Sequence, residues 1–276
     1  MEVQAFKIRW FVENCCEIKL PSGKTILIDP MLSKDKDSDN FWMKAFYSGF
    51  GVEDLEGCDY ILISHAHGDH IASLAEVFDK YHAPIVVNHT SAYPLALHED
   101  IAPGAFIPIC DGTELNFGEF KVKMLPGRHT AKVASTKPSQ SPIFGDDPEE
   151  VKFGVLGSLY NNNYLITLKN NFRIALDSGL YESDLSEWEK YQPNLILRHF
   201  DRGDDHLKNY VDIFRRSGAE YILTLCSQGQ APTIEERQAI NDQVNTYCAE
   251  HGIHGRSILP KAGQWMTFHF GYTVED

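Results

Sequence analysis

Apolar positions along this chain recur with two periods and switch between them in a regular order. Ala5 to Trp10 and Cys16 to Leu20 alternate apolar and polar side chains, the mark of strands with one buried face. Pro21-Ser22-Gly23-Lys24 separates the second of these from the apolar run Thr25 to Ile28, which predicts a hairpin, and Asp29-Pro30 ends the run. Residues 31 to 57 are polar and aromatic by turns, with Phe41, Trp42, Phe46, Tyr47 and Phe50, and read as a long loop. Tyr60 to Ile63 is apolar at every position, so it is expected as a strand buried on both faces. It runs into His65-Ala66-His67-Gly68-Asp69-His70, and a helical period over Ile71 to Tyr81 follows.

Strand and helix signals then alternate: Pro84 to Asn88 (strand), Ser91 to Leu97 (short helix) and Phe120 to Leu125 (strand), the last leading into Pro126-Gly127-Arg128-His129. Residues 134 to 160 are rich in Ser, Pro, Gly and Asp, too long for an ordinary connector and suited to a lid over a site. After them the order starts again. Tyr164 to Leu168 and Phe172 to Leu176 form a hairpin whose second strand ends in Asp177-Ser178-Gly179. Leu185 to Tyr191, His206 to Ser217 and Thr233 to His251 are helical, interleaved with strands at Leu195 to Leu197, Tyr221 to Leu225 and Ser257 to Leu259. Two similar halves, roughly 1 to 130 and 160 to 276, are expected to pack sheet on sheet with helices outside, as one domain over residues 1 to 276.

Composition narrows the picture. With 276 residues, 43% of them apolar and 23% charged, the chain can bury a sizeable core and is neither disordered nor fibrous. The 25 Lys and Arg against 39 Asp and Glu give a net charge of -14, a field that disfavours non-specific nucleic-acid binding. The six cysteines show no C-x-x-C spacing and no basic-then-apolar leader precedes them, so reduced thiols and a cytoplasmic location are expected. No apolar run approaches the roughly 20 residues of a membrane span.

The twelve histidines carry the candidate chemistry. His65 and His67 sit two apart at the mouth of a strand, where an extended backbone turns both imidazoles to one side and lets two nitrogens meet one cation. Asp69 and His70, as the chain turns into a helix, can hold a second cation beside the first. H-A-H-G-D-H after an apolar strand resembles the signature of the metallo-beta-lactamase-fold hydrolases, and Ile28-Asp29-Pro30 is similar to that family's strand-end aspartate.

The resemblance implies a four-layer αββα sandwich and a dinuclear site of zinc or manganese. In that reading His65, His67 and His129 hold the first ion, Asp69 and His70 the second, and Asp177, in Ala175-Leu176-Asp177-Ser178-Gly179, bridges the two. Asp69 is also expected to orient the attacking water and pass on its proton. The family's last ligand is normally a histidine after a late strand, whereas this chain reads Leu223-Thr224-Leu225-Cys226-Ser227-Gln228-Gly229. Cys226 can take that place, since a thiolate is a competent zinc ligand; His199 and His206 are the alternatives. His206 also opens a helix where the nuclease branch of the family carries a histidine that assists catalysis.

Arg128, Lys132, Arg198 and Arg202 lie next to these motifs and can clamp a phosphate or carboxylate, which points to a small anionic substrate. The order of motifs, ending in Pro260-Lys261-Ala262-Gly263-Gln264, looks most like the branch that contains a sugar-phosphate lactonase. The leading expectation is a metal-dependent hydrolase of a small ester, lactone or phosphorylated metabolite. A phosphodiesterase or RNA-processing nuclease of the same fold and a non-catalytic metal-binding protein are the alternatives, and homo-oligomer formation is open.

Overall fold

The computed structural model describes residues 4–127, 157, 159–178, 185–200, 205–225 and 233–270, which contain two seven-stranded sheets. The first holds β1 (Gln4–Trp10), β2 (Cys16–Lys19), β3 (Thr25–Ile28), β4 (Tyr60–Leu62), β5 (Ile85–Asn88) and β6 (Phe106–Ile109), with β14 (Trp265–Phe270) beside β1. The second runs from β7 (Glu114–Asn116) through β8 (Phe120–Pro126), β9 (Asn162–Leu168), β10 (Arg173–Asp177), β11 (Leu195–His199) and β12 (Tyr221–Leu225) to β13 (Arg256–Ile258). Each sheet has three antiparallel pairings followed by three parallel ones. The repeated order of elements in the sequence is therefore a repeated sheet topology.

Alternation of side chains sorts the core into three layers. Ile8, Ile26, Leu62 and Val86 meet Val122, Tyr164, Ile174, Leu176, Leu195 and Leu197 between the sheets. Leu27, Ile61, Ile63 and Ile85 face outward under α2 (Gly68–Ile71), α3 (Leu74–Tyr81) and α4 (His89–His98). Ala175, Ile196 and Ile222 face outward under α5 (Leu185–Tyr191), α6 (His206–Ser217) and α7 (Ile234–Glu250). This is the αββα sandwich, and strands buried on both faces are why Tyr60 to Ile63 shows no alternation.

The structure departs from the sequence reading in three places. The expected loop over 31 to 57 contains α1 (Phe41–Ala45), because the Asn40 side chain accepts from the Trp42 and Met43 amides and caps a helical turn. The helix expected over Ile71 to Tyr81 is two helices, since Ser73 is pinned to the loop after β3: its hydroxyl donates to the Leu32 carbonyl and accepts from the Leu32 amide, and its own amide donates to Pro30. Strands β6, β7 and β14 were not expected. All three are sheet edges, where one side of the strand is unpaired and the hydrophobic pattern is weakest. The sheets also divide differently from the halves at 130 and 160, because β7 and β8 belong to the second sheet and β14 returns to the first.

Among the described residues no helix is long and apolar enough to cross a membrane. Cys15, Cys16, Cys58, Cys110 and Cys248 are free thiols.

Candidate metal centre

Parallel strands deliver their chain ends to one edge of the sandwich, and the candidate residues sit there. Asp29 follows β3, Ser64 and His65 follow β4, Asp177 closes β10 and His199 closes β11. Asp29, His65, His67, His70, Asp177 and His199 are all buried.

Asp29 organises the first sheet's contribution. Its backbone is in the left-handed region (φ 45°), which Asp tolerates better than most residues. This turns the carboxylate toward the end of β4, where Oδ1 accepts from the Ser64 amide (2.6 Å). Oδ2 accepts from Ser64 Oγ (2.5 Å), His70 Nδ1 (2.7 Å) and Asn14 Nδ2 (3.1 Å). Ligand atoms of Asp29, His65 and His70 lie within 4.8 Å of one another. With four donors already on it, three of them on Oδ2, the carboxylate acts here as an orienting group.

The proton accounting follows from those bonds. Ser64 Oγ gives its proton to Asp29 and so accepts from His65 Nδ1 (2.9 Å), leaving the lone pair on His65 Nε2. That nitrogen lies 3.1 Å from His67 Nδ1. His70 donates from Nδ1 to Asp29, and its Nε2 lies 3.8 Å from Asp69 Oδ2. The His65 and His70 ring centroids are 3.9 Å apart. Asp69 Oδ1 is buried with no hydrogen-bond partner among the described residues. Burial pushes the His70 imidazolium down, but the carboxylates of Asp69 and Asp29, with Glu13, outweigh it and take the pKa up to about 9. The cluster is thus short of positive charge.

Polar bonds across the sandwich tie the second sheet to this cluster. Asn162 donates from its amide and from Nδ2 to the Ser64 carbonyl (3.0 Å each), and Tyr164 donates its hydroxyl to the Ile63 carbonyl (2.7 Å). Strand β9 therefore grips the end of β4, and β10 lies next to β9. Asp177 pairs with Arg198 Nη1 at 3.7 Å, and that guanidinium stands 5.7 Å over the Tyr210 ring. Ser178 Oγ lies within hydrogen-bond distance of Asn161 Oδ1 and the Asn162 carbonyl, bracing the loop after β10. His199 lies with its ring centroid 6.3 Å from that of His70 and its Nδ1 3.4 Å from Glu13 Oε2.

The structure therefore brings His65, His67, Asp69 and His70 together and sets His199 beside them, with Asp177 at the neighbouring strand end. His206 is half-buried as the first residue of α6. Arg128, His129, Lys132, Arg202 and Cys226 lie outside the described residues, as does the 134 to 160 stretch apart from Gly157, Leu159 and Tyr160. Gly157 is buried against His67, where a β-carbon would overlap the ring. Sequence reasoning did not single out Glu13, Asn14, Ser64 or Asn162 as site residues. Only Ser64, directly before His65, had a positional signal.

The metallo-beta-lactamase superfamily model matches residues 8–144. The chain has the fold of that superfamily. Among curated relatives, this metallo-beta-lactamase-fold chain is 26% identical over 172 residues to a protein named UPF0173 metal-dependent hydrolase in Thermodesulfovibrio yellowstonii. The match covers 60% of this chain and 56% of that one. A Cupriavidus taiwanensis protein of the same family name is 25% identical over 200 residues, covering 69% of this chain and 63% of its own length. This chain thus spans 56% to 63% of those two relatives. Solved structures with the same fold include a metallo hydrolase of Ignicoccus hospitalis (TM-score 0.65, 14% identity, 97% of this chain and 100% of that one). An isothiocyanate hydrolase from Delia radicum gut bacteria is similar (TM-score 0.64, 16% identity, 95% and 99%).

Proposed function

We propose that this metallo-beta-lactamase-fold chain is a metal-dependent hydrolase acting on a small ester, lactone or phosphorylated metabolite with two divalent ions, zinc or manganese. The observation that carries the reading is the convergence of three imidazoles on a buried carboxylate oxygen. His65 Nε2 and His67 Nδ1 meet in a hydrogen bond at 3.1 Å, the Nδ1 atoms of His65 and His70 are turned outward to Ser64 and Asp29, and Asp69 Oδ1 is buried with no hydrogen-bond partner among the described residues. A cluster built only for packing would satisfy that carboxylate internally. Nitrogen and carboxylate donors of this kind suit zinc and, with more oxygen, manganese.

In this reading His65 and His67, with His129, would hold the first ion, Asp69 and His70 would hold the second, and Asp177 would serve both. Bound there, the ions supply Lewis acidity and a water acidic enough to react near neutral pH. Asp29 and Ser64 keep the ring tautomers that leave the nitrogens of His65 and His70 able to bind. Asp69 orients the attacking water and takes its proton at a carboxylate oxygen. Arg198 holds Asp177 in place from the neighbouring strand. An anionic substrate would be met by Arg128, Lys132 and Arg202, which lie next to these motifs in the sequence. The free thiols fit a reducing compartment, and we propose a cytoplasmic location.

Metal analysis of the purified protein, followed by assays on ester, lactone and phosphoester panels, tests this. Hydrolysis should vanish on chelation, return with zinc or manganese, and be lost in His67→Ala. Turnover that persists in metal-free protein would refute the mechanism. Two ions bound with no turnover across the panels would favour a non-catalytic metal-binding role.

A further inference from the structure

We propose that His199, held by Glu13, completes the coordination of the second ion in this chain. This rests on the two-ion reading above and concerns the position normally filled by a histidine after a late strand. That position here reads Cys226, and the thiolate is the competing ligand.

Three observations converge. The first is strand alternation: Leu195 and Leu197 of β11 point between the sheets, while Ile196 points to the helices, where Arg198 meets Tyr210. Two residues beyond Leu197, His199 therefore points into the space between the sheets, toward the first sheet's histidines. The second is the contact itself, a ring centroid 6.3 Å from that of His70, which joins an imidazole of the second sheet to one of the first.

The third is Glu13. It sits in the tight turn after β1, where Phe11 donates to the Cys15 carbonyl and Cys15 donates to Val12. Its φ is 44°, an unusual value for a glutamate, and its carbonyl is held by Trp10 Nε1 at 2.8 Å. Backbone strain of this sort persists only when its surroundings over-determine it, and it clusters at functional sites. Here it carries a buried carboxylate to 3.4 Å from His199 Nδ1. A carboxylate on one ring nitrogen fixes the tautomer and makes the other nitrogen a better ligand, an arrangement that recurs around ligating histidines. Asp29 serves His70 in the same way, so the two imidazoles flanking the second ion would each be backed by a buried carboxylate. His199 then ligates through Nε2.

The test is metal stoichiometry and affinity, read without reference to turnover. Chelated protein is titrated with zinc against a chromophoric competitor, and bound ions are counted after gel filtration. Wild type and Cys226→Ser should each bind two ions. His199→Ala should keep one tight ion and bind the second at least about 100-fold more weakly, and Glu13→Gln should weaken it about 10- to 100-fold. Undiminished second-site affinity in His199→Ala, or a loss confined to Cys226→Ser, overturns the assignment to His199 and leaves the hydrolase reading standing. One ion or none in the wild type overturns the two-ion reading and this assignment with it. If His199→Ala does not fold, nitrogen-15 spectra of histidine-labelled wild type decide the matter. The His199 Nε2 resonance, identified by its perturbation in Glu13→Gln, should shift on zinc saturation, and a resonance that does not move overturns the proposal.

Discussion

Replacing Asp29 by Asn isolates what the carboxylate does, because asparagine accepts the left-handed backbone found there (φ 45°) about as readily as aspartate. Any change therefore reflects hydrogen bonding rather than backbone strain. The carboxylate accepts four bonds, from the Ser64 amide and hydroxyl, His70 Nδ1 and Asn14 Nδ2. The amide can keep the bond from the Ser64 amide at its oxygen, but its NH2 then faces three former donors. Each can reverse at a cost. Asn14 can turn its Oδ1, which has no hydrogen-bond partner among the described residues, toward position 29. The Ser64 hydroxyl can accept from position 29 and donate to His65 Nδ1, and His70 can accept at Nδ1. Bonds to a charged group are worth about 1 kcal/mol more apiece than neutral ones, so a rewired network should cost about 2–4 kcal/mol of stability. The functional penalty is larger in kind, since both rewired histidines carry their proton on Nε2, the nitrogen a metal ion needs. Urea unfolding of the chelated protein reads the first effect, and competitive zinc titration should show affinity about 10- to 100-fold weaker. Stability within about 0.5 kcal/mol of wild type, together with unchanged zinc affinity, would show that Asp29 does not set the tautomers.

Three further outcomes are expected. In the metal-free protein the His70 pKa is raised from 6.5 to about 9, so the stability it contributes is fully present below 6.5 and is lost as pH rises through about 9. Urea midpoints of chelated protein at pH 6 and pH 9.5 should differ by an amount equivalent to about 3 kcal/mol, and midpoints that rise with pH would contradict the charge balance argued for the cluster. Tyr164→Phe removes the buried bond to the Ile63 carbonyl and should cost about 1–2 kcal/mol in urea unfolding while leaving zinc stoichiometry unchanged. Gly68→Ala puts a methyl group into the Trp42 indole at the start of α2 and should cost about 1–3 kcal/mol; a stability equal to wild type would mean that Trp42 does not pack there.

What could be read from the sequence was local. His65, His67, Asp69 and His70 share six residues of chain, so their spacing and the apolar strand before them were enough to predict convergence, and the structure brings those four together. The repeated order of strands and helices likewise foreshadowed two sheets of one topology, while the edge strands β6, β7 and β14, buried less completely, left too faint a pattern to detect.

What escaped detection depends on contacts between segments far apart in sequence. Asn14 and Glu13 lie in a turn that any hairpin loop would explain, yet one bonds Asp29 and the other meets His199 in the second sheet. Asn162 reads as a polar start to a strand, but its amide crosses 98 residues to hold the carbonyl beside His65. Each of these residues has an adequate local explanation, so no periodicity or spacing marks it. The ligand types of a metal centre are therefore visible in a single sequence as a short motif. The groups that aim those ligands come from whichever loops the fold places alongside, and they become visible only when the strand ends are seen together.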